Sequence, residues 1–94
     1  MKNILFASSE CVPFIKTGGL ADVVGSLPKE FDKEKYDVRV VIPNYTCMKQ
    51  EWKEKLEYVT HFYMDIAGQN QYVGVLKTVL NDITFYFIDN EHYF

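Results

Sequence analysis

The stretch Lys16-Thr17-Gly18-Gly19-Leu20-Ala21-Asp22-Val23 gathers the residue types that handle an anion. Adjacent glycines let a backbone approach a ligand without interference from a Cβ, and they permit positive φ. A helix starting just after them offers backbone N–H groups and a partial positive charge, suited to a phosphate or pyrophosphate. Lys16 adds a full charge on a flexible stem, and Thr17 can cap the helix or donate to the same anion. Three of the five glycines fall between Gly18 and Gly25. A simpler account also fits, in which Gly18-Gly19 is only a tight turn and Lys16 a solvated loop residue. The pattern is neither a Walker A loop nor the dinucleotide fingerprint, because G-x-G-x-x-G is absent. Spacing alone leaves both accounts standing.

The remaining reactive groups are scattered. His61 alternates onto the partly polar face of a strand and is expected to face solvent, while His92 lies near the chain end with no partner in view. Cys11 and Cys47 are too few and too far apart for a disulfide scaffold or a zinc site. Two free thiols fit a reducing cytosol. The tyrosines and phenylalanines of 56–66 and 83–88 fall at strand spacing and read as core, with no case for a binding stripe.

The elements that must hold the loop are legible from periodicity. Asn3 to Ala7 is a short apolar run, expected to be a strand covered on both faces. A loop from Ser8 to Thr17 follows. Leu20, Val23, Val24, Leu27 and Phe31 then recur at helical spacing, with Pro28 expected to kink the helix or end it early. Lys29 to Lys35 reads as its charged, solvated tail. Val38 to Ile42 is a second apolar strand, stopped by Pro43 and Asn44, so the first 43 residues form a βαβ unit. That places the glycine loop at the carboxyl end of a strand, where open α/β sheets bind ligands.

After one helical turn carrying Met48 and Trp52, alternation takes over. Leu56, Tyr58, Thr60, Phe62, Met64 and Ile66 are expected on one face, with Glu57, Val59, His61, Tyr63 and Asp65 on the other. Gly68 to Gln71 reads as a turn, Tyr72 to Leu80 as a second strand, Asn81-Asp82 as a two-residue turn and Ile83 to Ile88 as a third strand. The fold class is α/β: a partial Rossmann-like domain with an antiparallel β insertion. One good helix cannot cover such a sheet, which suggests the front of something longer. Unpaired sheet edges would then favour self-association.

Composition removes several functions. The chain has 94 residues, 48% hydrophobic and 24% charged, which is globular. A chain this short removes only about 60–65% of its unfolded surface from water, so its stability margin is thin. The net charge is −3, and Arg39 is the only arginine. Without a basic patch, neither nucleic acid nor anionic lipid is an expected partner. No apolar run approaches the roughly 20 residues of a membrane span.

Two segments carry a resemblance to a known family. Lys2-Asn3-Ile4-Leu5-Phe6-Ala7-Ser8-Ser9-Glu10-Cys11-Val12-Pro13-Phe14 and Lys16 to Pro28 are similar to the amino terminus of the bacterial ADP-glucose-dependent glycogen synthases, relatives of the plant starch synthases in glycosyltransferase family 5. The likeness continues through Asp37 to Pro43 and resumes at Phe85 to Asn90; Thr46 to Asp82 agrees in pattern rather than in residues. The resemblance implies the first part of the amino-terminal domain of a GT-B fold, with residues 1–94 a partial Rossmann-like domain and the carboxyl-terminal nucleotide-binding domain absent. It implies transfer of glucose from ADP-glucose to the non-reducing end of an α-1,4-glucan (glycogen) with retention, with no metal and no other cofactor. Lys16 would contact the nucleotide sugar, and Gly18 and Gly19 would bring backbone N–H groups to it. Asp22 would either orient that site or complement the helix dipole. Asp89, Glu91 and their loop would face the glucan, and Tyr93 and Phe94 would stack on sugar or simply pack. The principal catalytic groups are expected beyond Phe94, so the chain alone should be inactive and fold poorly. The alternative is a non-enzymatic nucleotide- or glucan-binding module. A chain starting directly at its first strand, with no transit segment, points to a bacterial, cytoplasmic member.

Overall fold

A computed structural model describes residues 2–16, 18–45 and 48–90. Five strands form one sheet: β1 (Lys2–Ala7), β2 (Tyr36–Pro43), β3 (Glu57–Ile66), β4 (Gln69–Leu80) and β5 (Ile83–Asp89). Their spatial order is β1-β2-β5-β4-β3. β1, β2 and β5 run parallel, and β3 and β4 continue the sheet as antiparallel strands. Two helices accompany them, α1 (Gly19–Ser26), which tightens into a 3₁₀ turn over Leu27–Glu30, and the single turn α2 (Gln50–Lys53). Pro28 ends α1 as expected, because it removes a backbone donor and crowds the preceding turn.

The βαβ unit and the antiparallel addition both form. β4 begins earlier than periodicity indicates, at Gln69, so the turn is only Ala67-Gly68. Both turn residues adopt positive φ, 53° and 80°, as do Asn81 (53°) and Asp82 (63°) in the next hairpin. Positive φ at both central residues matches the right-handed twist of the flanking strands.

One sheet face carries the core. Val40, Ile42, Ile83, Phe85 and Phe87 are buried there with Cys11, Phe14, Val24 and Met48, and Phe6, Trp52, Leu56, Leu76 and Leu80 pack around them. Phe14 is the keystone, meeting the rings of Trp52, Phe85 and Phe87 edge-on at 5.3, 4.9 and 5.0 Å. On the other face Leu5 is 63% exposed and Val79 62%. β1 is therefore an edge strand covered on one face rather than two, because the helices among the described residues lie on one side of the sheet.

The buried side of α1 keeps Val24 from the apolar spacing but otherwise departs from it. Ala21, Val24 and Gly25 are buried, followed by Pro28, whereas Leu20, Val23 and Leu27 are exposed. Small residues win the inner face because the helix lies close to the loop before it. A Cβ on Gly25 would stand 2.2 Å from Val12 Cγ2 and 3.0 Å from the Val12 carbonyl oxygen.

β3 shifts register between Tyr58 and Thr60, leaving Val59 as an extra residue. A bulge of one residue moves every later side chain to the opposite face. Tyr58 thus shares its face with His61 and Tyr63, not with Phe62. Nor are these aromatics core: Tyr58, Phe62 and Tyr63 are exposed.

Candidate functional site

The loop after β1 is built by local hydrogen bonds and one anchor. Ser8 N–H donates to the Val41 carbonyl, extending the parallel ladder at its carboxyl edge (3.1 Å). The Ser8 hydroxyl donates to the Glu10 carbonyl (2.9 Å). Cys11 and Ile15 then exchange backbone hydrogen bonds at 3.0 and 3.1 Å, closing a tight turn around the buried Phe14 ring. Val12 N–H donates to the Ala21 carbonyl (3.1 Å), tying the turn to α1. Lys16 follows this turn and emerges at the surface beside the start of α1.

Lys16 and Asp22 meet there. Lys16 Nζ lies 2.7 Å from Asp22 Oδ2, with both side chains just over half exposed (54% and 55%). The pair fixes the ammonium beside the first helical turn, where Asp22 also complements the dipole. An exposed pair of this kind contributes about 0–1 kcal/mol, so an incoming phosphate can compete for the lysine at little cost.

The glycines have no internal reason to be glycine. Gly18 is extended (φ −166°), a conformation open to any residue. A Cβ at Gly18 would meet only Glu10 Oε1 at ordinary contact distance, 3.7 Å, and one at Gly19 would meet nothing within 4 Å. What the two glycines preserve is bare backbone facing open space at a helix start, the condition for close approach of a ligand.

Glu10 is the residue that sequence reasoning missed. It is buried, and its Oε1 accepts a hydrogen bond from the Ala21 N–H at 3.1 Å. A carboxylate from eleven residues upstream thereby takes the place of an N-cap side chain, which α1 lacks. The Ala21 N–H is therefore already engaged. Periodicity carries no signal for such a contact, since a lone Glu in a polar loop reads as solvated.

Burial pushes the Cys11 thiol up to about 11, partly offset by the positive charge of Lys29. It is inert at neutral pH and structural. Among the described residues no three His, Cys, Asp or Glu side chains converge as a metal site. Asp89 ends β5 on the same carboxyl edge, half-buried. His61 is exposed as expected, but within a ring cluster. Thr17, Cys47, Glu91, His92, Tyr93 and Phe94 lie outside the described residues.

The fold and the loop define an α/β unit with a helix N-terminus and a lysine at the carboxyl edge of its parallel strands. Residues 3–94 match the model of the starch synthase catalytic domain family, and the chain belongs to that family. It is 66% identical over its whole length to a glycogen synthase of Lachnospira eligens and 60% identical to one of Lachnoclostridium phytofermentans. It spans 20% of each of those proteins. The catalytic domain of starch synthase IV from Arabidopsis thaliana, solved bound to ADP and acarbose, shares the fold. Its TM-score is 0.77 at 24% identity, over 97% of this chain and 18% of that one.

Proposed function

We propose that this chain supplies the sugar-nucleotide-contacting loop of an ADP-glucose-dependent glycogen synthase, as part of its first Rossmann-like domain. The reaction moves glucose to the non-reducing end of an α-1,4-glucan with retention, in the cytoplasm, where a free thiol such as Cys11 persists. The observation that carries this reading is the Lys16–Asp22 pair beside a Cβ-free helix start at the carboxyl edge of the parallel strands. The similarity to glycogen synthases of Lachnospira eligens and Lachnoclostridium phytofermentans supports that substrate class.

The chemistry asked of the loop is electrostatic. Breaking the bond between glucose C1 and the phosphate oxygen leaves negative charge on the departing ADP. Fixed donors aimed at that oxygen lower the barrier. Lys16 releases Asp22 and turns to the diphosphate, while Glu10 keeps the helix end oriented. The principal groups that act on the sugar itself are expected beyond Phe94, so these 94 residues alone should catalyse no transfer.

Lys16→Ala tests the assignment in the natural-length polypeptide that carries the chain. It should lower kcat/KM for ADP-glucose about a hundredfold, the scale of one transition-state donor. Thermal stability should barely change, because the ion pair it breaks is exposed. An unchanged kcat/KM would remove Lys16 from the site.

A further inference from the structure

We infer that the β3–β4 hairpin carries a second binding surface for uncharged glucan, formed by Tyr58, His61, Tyr63 and Tyr72. The bulge at Val59 brings the first three onto one face of β3, and Tyr72 lies opposite Tyr63 on β4. Their rings form a connected set. His61 stacks on Tyr72 at 5.6 Å and 25°, and Tyr63 meets His61 and Tyr72 edge-on at 6.2 and 5.8 Å. Tyr58 hydrogen-bonds His61 Nδ1 through its hydroxyl.

Gly74 shapes this surface. It pairs with His61 across the strands, and a Cβ there would stand 2.9–3.2 Å from the Tyr72 ring and hydroxyl. The missing side chain lets the Tyr72 ring lie down over the strand, where His61 stacks on it. Asn90 adds support by donating to the Tyr72 carbonyl at 2.7 Å. The rings are thus held in place, yet Tyr58 and Tyr63 are each 61% exposed and Tyr72 37%.

Place and chemistry select the occupant. Gly74 is the first residue of β4 paired with β5, opposite Asp89, so Gln69–Val73 and their β3 partners overhang the carboxyl edge of the parallel strands. The Lys16 loop stands on that edge. By register the ring cluster also shares the sheet face of Phe87, Ile42 and the core under α1. Phenols and an imidazole present flat faces with hydrogen-bonding rims and no paired charge, the character of a surface for amphipathic, neutral ligands. A sugar chain offers the complement, with C–H faces to stack and hydroxyls to bond. That the sugar is an α-1,4-glucan rests on the proposed function above.

The test measures glycogen retention by affinity electrophoresis and maltoheptaose binding by calorimetry, using the natural-length polypeptide. Tyr58→Ala and Tyr63→Ala should each weaken binding about threefold to tenfold, as expected for one aromatic contact, and together more. Gly74→Ala, which displaces the Tyr72 ring but removes no aromatic group, should weaken it as well. Tyr63→Phe keeps the ring and should retain most binding. ADP-glucose KM measured with a short acceptor should stay unchanged in all four. Unaltered retention in the double alanine variant overturns the inference, as does a wild-type protein that ignores glycogen. A variant that loses dimer in size-exclusion chromatography or loses thermal stability, with retention intact, assigns the face to a second copy or to another segment. That result overturns it too. Failure of the proposed function reads differently: wild type would then transfer no glucose from ADP-glucose, whatever the hairpin binds.

Discussion

Glu10 shows how a single buried carboxylate can organise the loop between β1 and α1. It caps α1 at Ala21 from a loop held by Ser8 and Phe14, and so couples strand end to helix start. Hydrogen bonds to a charged group contribute about 1.5–3 kcal/mol, and the loss falls on a buried donor. Glu10→Ala should therefore destabilise the fold by that amount, read as a shift in urea midpoint. Glu10→Gln keeps an acceptor oxygen and should cost less. If the two variants are equally stable, the Ala21 contact is not what holds the loop. Lys16 and Asp22, by contrast, sit at the surface, and their ion pair contributes little to stability.

At the scale of the element, close approach decides what repeats alone misassign. Helical spacing points to Leu20, Val23, Val24, Leu27 and Phe31 as the apolar face. Val24 is buried as expected, but Ala21 and Gly25 lie inside with it while Leu20, Val23 and Leu27 are exposed. The winning term is the fit of Gly25 against Val12. Gly25→Ala tests it, because two effects oppose: alanine gains up to about 1 kcal/mol of helix propensity, while a Cβ 2.2 Å from Val12 forces a core shift costing about 1–3 kcal/mol. The clash should win, and the melting temperature should fall. A rise would mean that α1 does not rest on Val12. In β3 the equivalent lesson is the bulge at Val59, where one unpaired residue reverses the faces that alternation assigns.

For the molecule as a whole, the one-sided core sets how stability responds to pH. Cys11 lies fully buried in that core, and its thiol titrates at about 11 rather than 9.0. A folded-state value raised above the unfolded one contributes stability that is complete below about pH 9. It is lost as pH climbs through about 11, because the unfolded chain then releases a proton that the folded chain retains. The full effect is on the order of 2–3 kcal/mol. Urea midpoints at pH 8 and 10.5 should diverge more for wild type than for Cys11→Ala. Equal divergence would remove Cys11 from the alkaline response.

Much was determined by the sequence alone: five strands, a helix cut short at Pro28, a glycine-bearing loop between β1 and that helix, and family membership. These rest on interactions within a few residues, on apolar period, turn residues and contiguous motifs. The tertiary structure alone decided the strand order, the exposed face of β1, the Glu10–Ala21 contact and the ring cluster on the hairpin. Each joins residues distant in the chain, or depends on how near two backbones come. Neither a period nor a propensity encodes such distances, because they are set by packing the elements against one another.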